Sequence, residues 1–199
     1  DVTLLPDGRL NILLGKVSSS GIQAGVALAS SRAVLGSAGH RLLEPVDGLQ
    51  ECAALLASQH PSSVALCCFQ VRIDPTTGQA EYAAAGVSPL HPRGRFFVQD
   101  APVEGEALGA ASPTIQGGGQ HFDPGSLIVL LGPSMLEARN GDGKAFAQEP
   151  LARALADSYA NLQELVDRIV EAFRAFREKS PYFAPDVVVI VFERSKSGP

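Results

Sequence analysis

Side chains able to do chemistry are few and dispersed in this 199-residue chain. His40, His60, His91 and His121 lie far apart, and none has a second His, Cys or Asp at metal-ligating spacing on one element, so none is assigned as a ligand. Ser134 is not read as a hydrolase nucleophile, because no strand-turn-helix elbow pattern surrounds it and Pro133 stands in place of the glycine context. Cys67 and Cys68 are adjacent on a β-branched run and should point to opposite faces, which disfavours a redox pair. Ser18, Ser19 and Ser20 before Gly21 read either as a solvated helix cap or as an anion-binding helix start. Gly117 to Gly119 read as a flexible turn, without the spacing of a phosphate loop.

The elements that must position these residues follow from periodicity. Residues 1–14 read as a hairpin, turned by Pro6-Asp-Gly8 and returning as Leu10–Leu14. A polar loop, Gly15 to Gly21, then leads into a helix carrying Ile22, Val26, Ala29, Ala33 and Val34. The spacing predicts a second helix from Pro45 to Gln59 and a second hairpin, Val64–Ile73 with Gln79–Ala85. Arg95–Gln99 reads as a short strand, Ala101–Gly119 as loop, and Ser126–Leu131 as a central strand. A long helical pattern from Pro150 breaks near Ser158–Asn161, Pro181 and Pro185 stop it, and Val187–Phe192 closes as a strand. Strands grouped in this way disfavour a doubly wound parallel sheet and favour mostly antiparallel sheets flanked by helices. The expected organisation is one domain over residues 1–194 with a flexible tail at 195–199.

Composition bounds the partners. A net charge of −5 leaves no broad basic face for a nucleic acid, and no apolar run approaches the roughly 20 residues of a membrane span. Three cysteines make a poor disulfide framework, so a reducing, cytoplasmic compartment is expected. A chain that starts at Asp1, with no initiator Met, basic n-region or apolar h-region, reads as a domain cut from a longer protein.

Four segments taken in order resemble one family. Gly15-Lys-Val-Ser-Ser-Ser-Gly21 before an Ala-rich helix is similar to its glycine-rich first motif. Thr77-Gly-Gln-Ala-Glu-Tyr-Ala-Ala-Ala-Gly-Val-Ser-Pro89 is similar to its middle hairpin. Leu131-Gly-Pro-Ser-Met-Leu-Glu-Ala-Arg-Asn140, with Gly143-Lys-Ala-Phe-Ala147, is similar to its third motif, and Pro185-Asp-Val-Val-Val-Ile-Val191 to its closing strand. The family is the metal-dependent PPM-type serine/threonine phosphatases, in the bacterial branch typified by sporulation stage II protein E. The resemblance implies a four-layer α/β/β/α sandwich of class α+β.

It also implies chemistry that this chain departs from. The family holds two divalent cations, Mn or Mg, with carboxylates at strand ends, and a bridging water attacks the phosphoserine or phosphothreonine phosphorus. Where those motifs supply aspartates, this chain has Lys16, Pro133 and Pro185, and the first and second motif histidines are replaced by Ser20 and Val87. Asp186 remains as the second aspartate of the closing motif, Asp1 matches at best the last residue of an early acidic motif, and Gly15 and Gly21 keep the glycine frame. A lysine ammonium about 4 Å from a unit positive charge costs about 4 kcal/mol at an effective dielectric near 20, and a divalent ion doubles it.

Expected, therefore, is a catalytically dead phosphatase fold with no cofactor, acting as a regulatory or protein-binding module in bacterial signalling. Its partner would be a protein such as an antagonist or sigma-factor regulator. Two alternatives stand beside it: an active phosphatase with displaced ligands that uses Mn or Mg, and a structural homodimerisation domain. Lys16 itself has two readings, a charge surrogate paired with Asp186 or Asp1, and a loop lysine reaching solvent.

Overall fold

The computed structural model describes residues 1–18, 20–59, 64–99, 107–109, 113–177 and 186–195. In chain order the elements are β1 (Val2–Leu4), β2 (Leu10–Val17), α1 (Gly21–His40), α2 (Pro45–Gln59), β3 (Leu66–Ile73), β4 (Gln79–Ala85), β5 (Leu90–Arg93) and β6 (Phe96–Gln99). They continue with β7 (Gln116–His121), β8 (Leu127–Leu131), α3 (Pro133–Leu136), α4 (Glu149–Ala156), α5 (Leu162–Arg177) and β9 (Val189–Glu193). The chain divides into two compact units, one of residues 1–89, 103–124 and 194–199, the other of 90–102 and 125–193. Each carries one sheet with its helices, so the class is α+β as expected.

In the first unit the sheet order is β1-β2-β3-β4-β7, antiparallel throughout. The β2–β3 ladder runs unbroken from Leu10 opposite Ile73 to Val17 opposite Leu66. Strand pleating sends alternate residues to opposite faces. Leu13 and Val17 of β2 join Leu66 and Cys68 of β3 in a core completed by Ala27 and Leu35 of α1 and Leu49, Cys52 and Leu56 of α2. One buried polar pair lies under these helices, where Gln70 Nε2 donates to Asn11 Oδ1 at 2.8 Å. Gly39 and Gly48 let the helix backbones approach it, since a Cβ on either would lie 3.7 Å from one of its side-chain atoms.

The end of α1 is held by a residue that sequence periodicity does not reveal. Leu42 adopts the left-handed conformation at φ 58°, with its N–H donating to Gly39 O at 2.9 Å, and Leu43 N–H donates to Ala38 O at 3.1 Å. Arg72, buried on β3, donates to the Leu42 and Leu43 carbonyls. Burial, with Arg9 adding to it, pushes the Arg72 pKa down, so the carbonyls compensate a desolvated cation.

In the second unit the order is β5-β6-β8-β9, with one parallel pair, β6–β8. Every residue of β8 is buried, which matches its continuous apolar run. Phe146 lies edge-on to Phe173 of α5, with centroids 4.9 Å apart, and 5.6 Å from Phe176. The expected break in the C-terminal helical pattern falls between α4 and α5. Its cause is local: Asn161 Oδ1 accepts the Glu164 N–H at 3.0 Å while the Glu164 carboxylate accepts the Ala160 N–H at 2.7 Å, a reciprocal helix start.

Three elements differ from the sequence reading. β7, Gln116–His121, lies inside the stretch read as loop and turn, because Gly117 to Gly119 have poor strand propensity yet pair fully with β4. Bulk excludes side chains there: a Cβ on Gly117 would lie 2.2 Å from Val46 Cγ2 and one on Gly118 2.7 Å from the Tyr82 hydroxyl oxygen. β5 and the single-turn α3 also escape periodicity, being four residues each. Ser195 is described, while the other residues of the expected tail, 196–199, lie outside the described residues. Among the described residues no helix is long and apolar enough to cross a membrane.

Replacing Phe146 by Ala is expected to lower the unfolding free energy by about 3–5 kcal/mol in urea titrations, as for other buried aromatics. Leu42→Gly should raise it by about 0.5–1 kcal/mol, because the left-handed backbone no longer carries a Cβ.

Candidate functional site

The first and middle motifs meet on the first sheet. Lys16, near the end of β2, pairs in register with Cys67 of β3, and Gly86 follows β4 one step beyond the Cys68–Ala85 rung. Since Leu13 and Val17 face the helices, pleating puts Lys16 on the opposite face of the sheet, where it is half-buried. Gly86 is left-handed at φ 68°, and a Cβ there would lie 2.7 Å from the Cys67 sulfur, so only glycine fits this rung. Val87, at the position of the motif's histidine, is 2% exposed and serves as core.

The loop between Lys16 and α1 is tied to the sheet by backbone and hydroxyl. Ser18 N–H donates to Ala65 O at 2.8 Å, and the Ser18 hydroxyl oxygen accepts the Ala65 N–H at 3.1 Å. Ser20 is the N-cap of α1, but its side chain makes no capping hydrogen bond, which corrects the expectation of a serine cap. Gly21, at φ 70°, supplies the left-handed turn into the helix. Ser19 lies outside the described residues.

Asp1 belongs elsewhere. Its carbonyl accepts the Leu13 N–H at 2.8 Å, and its carboxylate takes the Arg32 Nε–H of α1 at 2.5 Å. The carboxylate is thus committed on the helix side of β2, the face away from Lys16. That replaces the Asp1 pairing considered for Lys16.

In the second unit the third and closing motifs come together. Gly132 N–H donates to Val188 O at 2.8 Å, extending the β8–β9 ladder beyond the Leu131–Val189 rung. A Cβ on Gly132 would lie 3.1 Å from Val188 Cβ. Asp186, exposed, lies two residues before Val188 in the chain. Pro133, buried, occupies the first turn of α3, where a missing N–H costs nothing. Pro185 lies outside the described residues.

The Glu137-Ala-Arg-Asn140 segment builds a loop. Asn140 Oδ1 accepts the N–H groups of Asp142 and Lys144, both at 3.0 Å, its own N–H donates to Lys144 O at 3.0 Å, and Arg139 donates to Gly143 O at 3.2 Å. Its Asn and Arg are spent on backbone groups.

Within each unit taken by itself, the described residues of the motifs do not gather the carboxylates that a pair of hard cations needs. Lys16 offers no lone pair while protonated, Pro133 and Gly132 carry no side-chain donor, and the carboxylates among the described residues of the third and closing motifs are Glu137 and Asp186. Among the described residues no three of His, Cys, Asp or Glu come together in a metal-binding group. His121 lies 3.4 Å from Asp123.

The cysteines are free thiols. Cys52 and Cys68 are fully buried, while Cys67, on the Lys16 face, is half-buried, the opposite facing expected of vicinal strand residues. Burial pushes both the Cys68 and the Cys52 thiols above the ordinary range, so neither ionises near neutrality. In native protein at pH 8 a thiol reagent is therefore expected to modify no more than one cysteine, Cys67, with all three reacting in urea. Mass spectrometry of the labelled peptides checks this, and rapid native labelling of Cys68 would contradict the burial account.

Comparisons with known proteins agree on one fold. The profile of the family described as Stage II sporulation protein E (SpoIIE) matches residues 6–195. Among solved structures, the RsbU and RsbW domains of a Mycobacterium tuberculosis protein superpose with a TM-score of 0.71 at 20% identity, over 100% of this chain and 55% of that one. This chain thus spans about half the length of that relative. The phosphatase domain of SpoIIE from Bacillus subtilis gives 0.66 at 12% identity, over 96% of this chain and 81% of that one. The SiaA-PP2C domain of Pseudomonas aeruginosa gives 0.67 at 17%, over 92% and 75%. No curated protein sequence matches the chain significantly.

Proposed function

The chain belongs to the SpoIIE family of PPM-type phosphatase domains, and from that premise we propose that it is a pseudophosphatase, a signalling domain that binds a protein partner without hydrolysing phosphate. The observation that carries this reading is the replacement of ligands at strand ends. Lys16 is the last residue but one of β2, and in the second unit Pro133 opens α3 two residues past the end of β8. A two-metal phosphatase needs acidic oxygens there to hold both cations and to lower the pKa of the bridging water. An ammonium and a pyrrolidine ring supply neither, and the ammonium repels a divalent ion.

The residual asset of such a domain is a surface. The Mycobacterium tuberculosis relative carries an RsbW domain in the same protein as its RsbU domain. This supports, for the present chain, a cytoplasmic protein partner of the antagonist or sigma-factor-regulator kind. A single domain over residues 1–194 would present that surface.

A second reading, homodimerisation, rests on α1. Over 20 residues this helix has one Arg and no acidic residue, and Ile22 and Val26, four residues apart, are 87 and 48% exposed. A helix apolar on its outer as well as its inner side favours a covered state. Sedimentation velocity across concentration tests it: concentration-dependent pairing abolished by Val26→Asp supports the reading, and a monomer throughout counts against it.

Calorimetric titration with Mn and a phosphoserine-peptide assay in Mn test the main reading. The expected outcome is no saturable micromolar binding and no metal-dependent phosphate release. Turnover that rises with Mn would establish the active alternative, with ligands at other positions.

A further inference from the structure

The sheet of the first unit ends on two strands that meet solvent differently. β1 is three residues long and is followed by Pro6 and Asp7, a short edge of the kind that resists further pairing. β7, Gln116–His121, is twice that length and contains no Pro, Lys, Arg, Asp or Glu. One side of it pairs with β4, from Gln116 opposite Ala84 to His121 opposite Gln79, and the sheet order stops there. Gly117, Gly118 and Gly119 are exposed although Val46 lies over Gly117 on one face and Tyr82 over Gly118 on the other. What remains open is the outer edge of the strand.

The ladders fix which backbone groups point to that edge. Phe122 N–H donates to Gly78 O at 2.9 Å, one rung beyond His121–Gln79, and on the other side of β4 Asp74 N–H donates to Gln79 O at 2.8 Å. Bonded and non-bonded pairs alternate along an antiparallel ladder. Gln116, Gly118 and Gln120 therefore spend their N–H and C=O on β4, while Gly117 and Gly119 turn theirs outward. The segment is also a palindrome, Gln116-Gly-Gly-Gly-Gln120. An antiparallel copy centred on Gly118 sets Gly117 opposite Gly119 of that copy, Gly119 opposite its Gly117, and each Gln opposite a Gln.

We propose that the outer edge of β7 pairs antiparallel with β7 of a second copy of this chain, about a two-fold axis at Gly118, joining two five-stranded sheets into one. The choice of a second copy follows from the palindrome. In this register both outward-facing glycines meet glycines, so each rung exchanges its two N–H···O bonds with no side chain between the backbones. The Gln side chains that face each other carry both donor and acceptor. A two-fold pairing uses the same edge of both copies and closes at a dimer. The surface is distinct from the exposed Ile22 and Val26 of α1, and it depends on neither activity nor inactivity of the phosphatase motifs.

Gly119 separates the two ladders, because its N–H faces outward and a Cβ there would meet nothing nearer than Ala80 O at 3.7 Å. Gly119→Pro removes that N–H and sets the ring into the pairing edge, leaving the bonds to β4 in place. Sedimentation equilibrium of the full chain is expected to show monomer and dimer. Gly119→Pro should raise the dissociation constant about tenfold or more, and Gly119→Ala, which keeps the N–H, should change it less than about threefold. Val26→Asp should leave this pairing unchanged. Circular dichroism melts verify that the variants fold, and should Gly119→Pro fail to fold, cross-linking carries the test. In chains that also carry Cys67→Ser, Gln116→Cys mixed with Gln120→Cys should form a disulfide-linked dimer on mild oxidation. Neither variant alone should, since its two introduced cysteines would stand about 13 Å apart along the strands. A monomer throughout, whether or not the edge takes an extended peptide of another protein, would overturn the proposal. So would a dimer indifferent to Gly119→Pro, as pairing through α1 would be, or cross-linking as efficient in one variant alone as in the mixture.

Discussion

The pleat of one strand governs the first unit. In β2, Leu13, Gly15 and Val17 face the helices while Ile12, Leu14 and Lys16 face the other way, and an eight-rung ladder to β3 locks this alternation. A slip of one residue would turn Lys16 into the helix core and Gly15 out of it. The same register therefore decides two unrelated things: which residue stands at the ligand position of the first motif, and that a glycine faces α1 at this point of the strand. The position of α1 depends on it too, through Asn11 and Gln70, whose buried hydrogen bond sits against Gly39 and Gly48.

The second unit has a comparable constraint in the β8–β9 pair. Gly132 comes so close to Val188 that a side chain would press on Val188, and the next residue begins a short helix. Proline suits that first helical turn, so Pro133 sits there without cost to the fold. Stability here comes from β8, buried along its whole length, and from the Phe146, Phe173 and Phe176 cluster. Hydrophobic burial of this kind dominates the stability of a folded domain.

Much of this was legible from the chain alone. β2, α2, the β3–β4 hairpin, β8, the α4–α5 break and β9 follow from periodicity and turn chemistry, and the ordered motifs led to the family. Features built from contacts were not legible. β7 is a strand because Tyr82 and Val46 lie over its glycines, against their propensity. The left-handed Leu42 is held by Arg72 from a distant strand, and Ser18 spends its hydroxyl on Ala65 in place of the helix cap expected of the serine run. Asp1 shows the same limit: its motif position points to a metal, and its actual neighbour is Arg32.

The sequence by itself determined the class, the family and which side chains each motif carries, because residue type and order encode both hydrophobic period and donor chemistry. A lysine cannot become a carboxylate by folding. Only the tertiary structure decided which face each residue occupies, which polar groups satisfy one another and which strand edge is left exposed, because these depend on the register of strands remote in sequence. The outer edge of β7 belongs to that second kind. Nothing in the order Gln116 to Gln120 signals it until β4 takes up one side of the strand.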